Sequence, residues 1–354
     1  MSERELATIR TIAEVQPIPG ADKICAYRVD GWWVVDQVGK YEVGSLVTYL
    51  EVDSWVPHSI APFLTKPDRD PMVYQEIQGQ RLRTIKLKGQ LSQGLLLPTQ
   101  EYDGDTAVIR ADGALRYVKD GDDMTDFLGI LKWEKPMNAQ LAGLAKGNFP
   151  SFIRKTDQPR IQNMTRQFQA WQEHGDEWFV SEKMDGSSMT VYFSHGEVEE
   201  MDLHGVCSRN LDLKQTEGNS FWIAAIELDL HNKIMKDGRS LAIQGELCGP
   251  GIQGNQYGFD KLRFFCYDIF DIDRQEYLLQ PEVIQFCAEH NIPMVPLLPN
   301  MKLSDSDTIA SILKFAEGKS TYGNKPREGL VFKHAVMHDV SWKAISDSWL
   351  LKNE

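Results

Sequence analysis

Short blocks of alternating apolar and polar residues fill the first third of the chain. Residues 24–29, 32–35 and 46–52 read as strands, separated by turn signals at Pro19-Gly20-Ala21-Asp22, Gly39 and Gly44. Residues 82–87 read as another strand, followed by Gly89 and then Leu95-Leu96-Leu97-Pro98. Several short strands with glycine-bearing turns predict a small barrel. Residues 101–135 are richer in Asp and Gly and read as an appendage or as the barrel's last hairpin. The stretch 138–150, with its Gly, Ala and Asn, reads as a linker.

From Ser151 the pattern changes to strands mixed with helices. Residues 178–182 and 189–193 are strand-like and flank an Asp185-Gly186 turn. Residues 221–235 carry apolar positions at helical spacing. Residues 281–290 predict a helix with proline in its first turn, and Asp305 or Ser306 is placed to cap another running through Phe315. Residues 241–243, 264–270 and 330–332 complete the strand set. The pattern predicts an α+β fold: a barrel domain over 1–137, a linker over 138–150 and an antiparallel-sheet domain over 151–354.

Length supports this division, since 354 residues exceed what one core commonly holds. With 42% hydrophobic and 25% charged residues the composition is that of a globular protein. No apolar run approaches the roughly 20 residues of a membrane span, and the charged start Met1-Ser2-Glu3-Arg4-Glu5 has no apolar signal core. An intracellular protein, cytoplasmic or otherwise, with no membrane partner is expected. Cys25, Cys207, Cys248, Cys266 and Cys287 are scattered and form no CxxC pair, which argues against a disulfide framework or zinc site. The net charge of −13 counts against a nucleic-acid binder unless cations are gathered locally.

The sharpest chemical signal is Ser181-Glu182-Lys183-Met184-Asp185-Gly186-Ser187. It sets a lysine at the end of an apolar strand, with an acid and a glycine just beyond it. Alone, Lys-x-Asp-Gly is as readily a surface hairpin. As chemistry, a lysine amine attacks the α-phosphorus of a nucleoside triphosphate only as the free base, so its pKa, near 10.4 in isolation, is expected to be depressed by burial or a nearby cation.

Companions follow in order. Ser208-Arg209-Asn210 offers a guanidinium for a ribose or phosphate. Gly245-Glu246 places a carboxylate after a buried strand, suited to a ribose hydroxyl or to metal through water. In Arg263-Phe264-Phe265-Cys266-Tyr267-Asp268-Ile269-Phe270, core packing accounts for most rings, and Phe265 is the candidate to stack on a base. Glu328-Gly329 pairs a second carboxylate with a strand start. Lys343, or Lys333 as the weaker choice, would neutralise the α-phosphate.

As an ordered set, Lys183-x-Asp185-Gly186, Ser208-Arg209, Gly245-Glu246, Phe265, Glu328-Gly329 and Lys343 resemble the covalent nucleotidyltransferase superfamily of DNA ligases, RNA ligases and mRNA capping enzymes. DNA ligases and capping enzymes carry an OB barrel after the catalytic domain; here the β-rich part comes first. Residues 12–22 and Tyr49-Leu50-Glu51-Val52-Asp53-Ser54 resemble the N-terminal OB domain of one RNA ligase family. Residues 155–162 resemble the start of RNA ligase catalytic domains, with Arg160 meeting a phosphate or RNA end. Two positions depart from common superfamily patterns: Ser188 stands where many members have arginine, and Ser341 where many have the first lysine of a Lys-x-Lys pair.

The resemblance implies an OB-fold followed by an ATP-grasp-like nucleotidyltransferase domain. It implies an ATP-dependent RNA ligase joining 3′-hydroxyl and 5′-phosphate ends through lysyl-AMP and adenylylated RNA. Lys183 would be the nucleophile. Glu182, Arg209, Glu246, Phe265, Glu328, Lys343 and Lys333 would contact the nucleotide, and Asp185, Glu246 and Glu328 would hold Mg²⁺ or Mn²⁺, largely through waters. The partner would be a nicked or broken RNA duplex, and the enzyme a monomer. A DNA ligase, a capping guanylyltransferase and an RNA-binding protein with a degenerate catalytic domain are the competing readings.

Overall fold

One face of each alternating block must leave water, and that requirement builds the N-terminal strands. In the computed structural model, which describes residues 4–102, 106–134, 143–196 and 202–353, the chain divides into two compact units. The first comprises residues 1–136, 162–165 and 351–354. In it Leu46–Leu50 lies between Ala7–Thr11 and Leu95–Pro98, all antiparallel, while Glu14–Pro17, Ile24–Val29 and Trp32–Gln37 form a meander. Tyr27, Trp32, Val34, Tyr49 and Leu96 fill the core beneath the meander. Trp32 and Trp55 are fully buried, so neither is a binding aromatic, whereas Trp33 is only half-buried.

One expectation for this unit changes. Residues 82–87 do not form one strand: Ile77–Arg81 ends and Thr84–Leu87 begins afresh. Between them the buried Leu82 turns its backbone to Ser54 and Asp53, with hydrogen bonds of 2.8 and 3.0 Å, so the chain changes partners there. The described residues from 106 to 134, whether appendage or last hairpin, are packed into this unit. Ile109, Val118, Met124, Leu128 and Ile130 share one core with Leu6, Ile9 and Leu50.

The second unit comprises residues 137–161 and 166–350 and carries two antiparallel sheets. Its elements are β1 (Ala145–Asn148), α1 (Thr165–His174), β2 (Glu177–Lys183), β3 (Ser187–Ser194), β4 (Leu203–Ser208), β5 (Leu211–Leu213), α2 (Ser220–Glu227), α3 (Leu230–Asp237), β6 (Leu241–Cys248), β7 (Arg263–Asp271), β8 (Glu276–Tyr277), α4 (Gln280–Glu289), β9 (Leu297–Lys302), α5 (Ile309–Ala316), β10 (Gly329–His334), β11 (Ser341–Ile345) and α6 (Asp347–Asn353). The larger sheet runs β1-β5-β4-β3-β6-β7-β8 and the smaller β9-β2-β10-β11. Helices α2, α3 and α4 bury Phe221, Trp222, Leu230, Ile234 and Phe286 against Val191, Ile243, Leu247 and Phe264 of the larger sheet.

Three local expectations differ here. Residues 145–148, expected as linker, pair with β5 at the sheet edge; residues 138–142 of that stretch lie outside the described residues. The single helix expected over 221–235 is broken at Leu228-Asp229, where Asp229 takes a left-handed φ of 55°. Thr308, not Asp305 or Ser306, caps α5 by accepting the Ser311 N–H at 3.0 Å. Proline does sit in the first turn of α4. No helix among the described residues is long and apolar enough to cross a membrane.

Candidate active site

The Lys-x-Asp-Gly segment is the crossover between the two sheets. Lys183 ends β2 in the smaller sheet, and Ser187 opens β3 in the larger. Gly186 is required by close approach: a Cβ there would lie 2.4 Å from the Leu247 carbonyl oxygen and 2.7 Å from Cys248 Sγ. The glycine therefore admits the neighbouring strand. Its N–H donates to Glu246 Oε1 at 3.0 Å, fixing that carboxylate beside the turn. Gly329 has the same origin, since a Cβ would lie 2.2 Å from the Ala344 carbonyl oxygen.

Strand register brings the remaining groups together. Ser188, Glu246 and Phe265 are cross-strand neighbours on β3, β6 and β7, while the alternate residues Leu247 and Phe264 face the helix-covered core. In the smaller sheet Lys183 is paired with Gly329, which puts Glu328 beside it. The Lys183 amine donates to Glu328 Oε1 at 2.6 Å, with the lysine side chain 27% exposed. Asp185 is held by its own N–H, which donates to Tyr257 Oη at 2.7 Å.

The electrostatics invert one expectation. Burial pulls the Lys183 pKa down, but the fields of Glu328, Glu246 and Asp185, with the hydrogen bond that the amine donates to Glu328, outweigh it and leave the amine above the ordinary lysine value. Burial alone therefore does not give the depressed amine expected from sequence, and the carboxylates favour the ammonium form. Burial raises Glu246 to about 8, against the pull of Lys183 and with repulsion from Glu328 and Asp185 adding to the rise. Three carboxylates around one ammonium leave an excess of negative charge suited to a divalent cation. Among the described residues no three His, Cys, Asp or Glu side chains are grouped to ligate one ion directly, so an ion there would keep water ligands.

Phe265 lies in an aromatic cluster that sequence reasoning largely missed. It packs with Met184, Cys248, Phe259 and Val295, and its ring lies 5.1 Å from Tyr322 and 5.9 Å from Phe259. Tyr257 and Tyr322 border the same cluster. The available signal was an aromatic beside glycine in otherwise irregular text, Tyr257-Gly258-Phe259 and Tyr322-Gly323. Glu182 alternates away from Lys183. It is buried, accepts the Thr321 N–H at Oε2 (2.8 Å) and so orders the loop bearing Tyr322, while its Oε1 has no hydrogen-bond partner among the described residues.

The basic groups divide. Arg209 and Lys343 come from different sheets, and Asp157, which was not singled out from sequence, bridges them at 3.7 and 3.4 Å. Arg160 is buried, not at the surface, and its backbone bridges to Lys343. Lys333 is otherwise engaged. Its amine donates to Asp268 Oδ1 at 2.7 Å and to the Tyr267 carbonyl, so it ties the sheets together instead of facing a phosphate.

An RNA ligase family model matches residues 176–346, and an OB-fold domain model matches residues 6–99. Solved structures of Naegleria gruberi RNA ligase are similar over the whole chain. An apo aspartate-to-alanine variant is 38% identical, with a TM-score of 0.85, covering 100% of this chain and 99% of that one. A lysine-to-methionine variant with AMP and Mn gives 38% and 0.86, and the enzyme with pyrophosphate 38% and 0.85, each covering 99% of both chains. A search of curated proteins found no match.

Proposed function

The chain belongs to the RNA ligase family and is an ATP-dependent RNA ligase, and from that premise we propose that Lys183 is its nucleophile and an RNA duplex with a nick or broken ends its substrate. The observation that supports this best is the Lys183 amine, 2.6 Å from Glu328 and in the field of Glu246 and Asp185, at the crossover between two sheets. Related structures solved with ATP or AMP and Mn support the same nucleotide and a divalent ion here.

In this reading Lys183 Nζ, whose side chain is part-exposed, releases its proton to water and attacks the α-phosphorus of ATP. The N–P bond forms as the bond to pyrophosphate breaks. AMP then passes to the RNA 5′-phosphate, and the 3′-hydroxyl displaces it to close the phosphodiester. Asp185, Glu246 and Glu328 would hold Mg²⁺ or Mn²⁺. Bound there, the ion supplies positive charge that offsets the carboxylates and polarises phosphate oxygens. Phe265 stacks on adenine, and Glu182 offers Oε1 to its amino group. Lys343 and Arg209 receive the phosphates, with Arg160 close behind Lys343. The OB-fold unit grips RNA beside the break.

All five cysteines are buried free thiols, which suits a reducing, intracellular setting. The direct test compares nicked duplexes bearing ribose or deoxyribose at the 3′-hydroxyl side, alongside open-ended RNAs. Sealing that requires ribose is the expected result; indifference to the sugar would favour a DNA ligase.

A further inference from the structure

The acidic excess of this chain is reversed locally in the OB-fold unit. Residues 77–100 contain Arg81, Arg83, Lys86 and Lys88 and no Asp or Glu, in a chain of net charge −13. Within them Thr84–Leu87 and Gln90–Gln93 pair only with each other, as a two-stranded ribbon of the OB-fold unit. The ribbon is tied to the barrel strand Trp32–Gln37, where the Val35 N–H donates to Ser92 Oγ at 2.9 Å.

The cations differ in what they already hold. Arg81 pairs with Asp53 at 2.6 Å and lies 3.8 Å over the Trp133 ring, so it serves the fold. Arg83, Lys86 and Lys88 are exposed. Lys86 and Lys88 have no ion pair or side-chain hydrogen bond among the described residues. Lys88 also occupies an unfavourable backbone position. With Gly89 it makes the two-residue turn, at φ of 49° and 89°, where Asn, Asp or Gly is the usual first residue. A lysine kept in left-handed backbone at the tip of a ribbon, without a partner, gains nothing in the free protein.

We propose that this ribbon is a docking surface for the phosphate backbone of the RNA substrate, with Lys86 and Lys88 pairing with phosphates; the proposal rests on the ligase reading above. A gathered set of exposed cations is what a polyanion needs from a protein of net negative charge. Two-stranded ribbons are an established way of presenting side chains to nucleic acid. The competing use of such lysines is to keep an exposed strand from pairing with other chains, and any charge of either sign serves that purpose.

Charge reversal separates the two. The double variant Lys86→Glu, Lys88→Glu keeps the edge charged but repels phosphate. The full-length protein is titrated with a fluorescent nicked RNA duplex across a salt series, and lysyl-AMP formation from ATP alone is measured in parallel. Adenylylation is expected to match wild type. RNA affinity is expected to fall at least about tenfold near 100 mM salt, and the dependence of log affinity on log salt to flatten by about two units. Lys86→Arg with Lys88→Arg should behave as wild type. A Lys86→Gln, Lys88→Gln pair, checked by thermal unfolding, gives the same direction of change should reversal disturb the barrel. Wild-type affinity and salt slope in the reversed variant would overturn the proposal. If the wild-type protein formed no lysyl-AMP, the assignment of Lys183 would fail instead, and the RNA titration would still decide the ribbon.

Discussion

Around Lys183 the named cations are each held by an acid: the ammonium by Glu328, Arg209 and Lys343 by Asp157, Lys333 by Asp268. On the Thr84–Gln93 ribbon the side chains of Lys86 and Lys88 answer only to solvent. Both regions meet phosphates in the reading above, but they serve different steps. Bond making needs groups fixed within a fraction of an ångström and shielded from water, so pairing and burial are worth their desolvation. Following a backbone needs charges that stay hydrated and adaptable, because much of the gain comes from released counterions. Substitutions in the pocket should therefore be severe and specific to one step, and those on the ribbon milder and salt-dependent.

The contrast can be pressed at four positions of the catalytic unit. The largest effect is expected on folding: Lys333→Met strands a buried Asp268 and should cost about 3–5 kcal/mol, read from the denaturant midpoint, with Asp268→Asn recovering part of it. Lys343→Ala removes positive charge from the developing transition state, and the rate of lysyl-AMP formation should fall about 10²–10³-fold with the melting curve little changed. Phe265→Ala should raise the KM for ATP by about 1–3 kcal/mol, the value of one stacked base, and leave RNA affinity alone. The smallest change runs the other way. Asp157→Asn removes a carboxylate that competes with phosphate for Arg209 and Lys343, so the KM for ATP should drop by about twofold to fivefold, in keeping with a partly exposed pair. A rise in that KM would mean that Asp157 positions the two cations.

What could be read from the chain follows from how local each feature is. Lys183 at a strand end, Glu246 after a buried run and Glu328 before β10 were legible because period-two patterning marks strands and their ends. That pattern also distinguishes Phe265 from Phe264, once the register with Glu246 is known. Tyr257, Tyr322 and Asp157 were not legible, since they sit in irregular segments placed by distant contacts. The edge strand Ala145–Asn148 has no apolar alternation and exists only because β5 accepts it. The break at Asp229 was hidden because apolar spacing continues across it. The protonated state of Lys183 depends on acids 60 and more positions away in sequence, and only the folded arrangement reveals that they outweigh burial.

Incubating the purified protein with ATP labelled at the α-phosphate and a divalent cation, denaturing it and mapping the modified peptide tests the central claim. Label is expected on Lys183 alone, stable to denaturation, released by pyrophosphate before denaturation, and absent from Lys183→Ala. Label retained by Lys183→Ala, or carried on another residue of the wild type, would contradict the assignment.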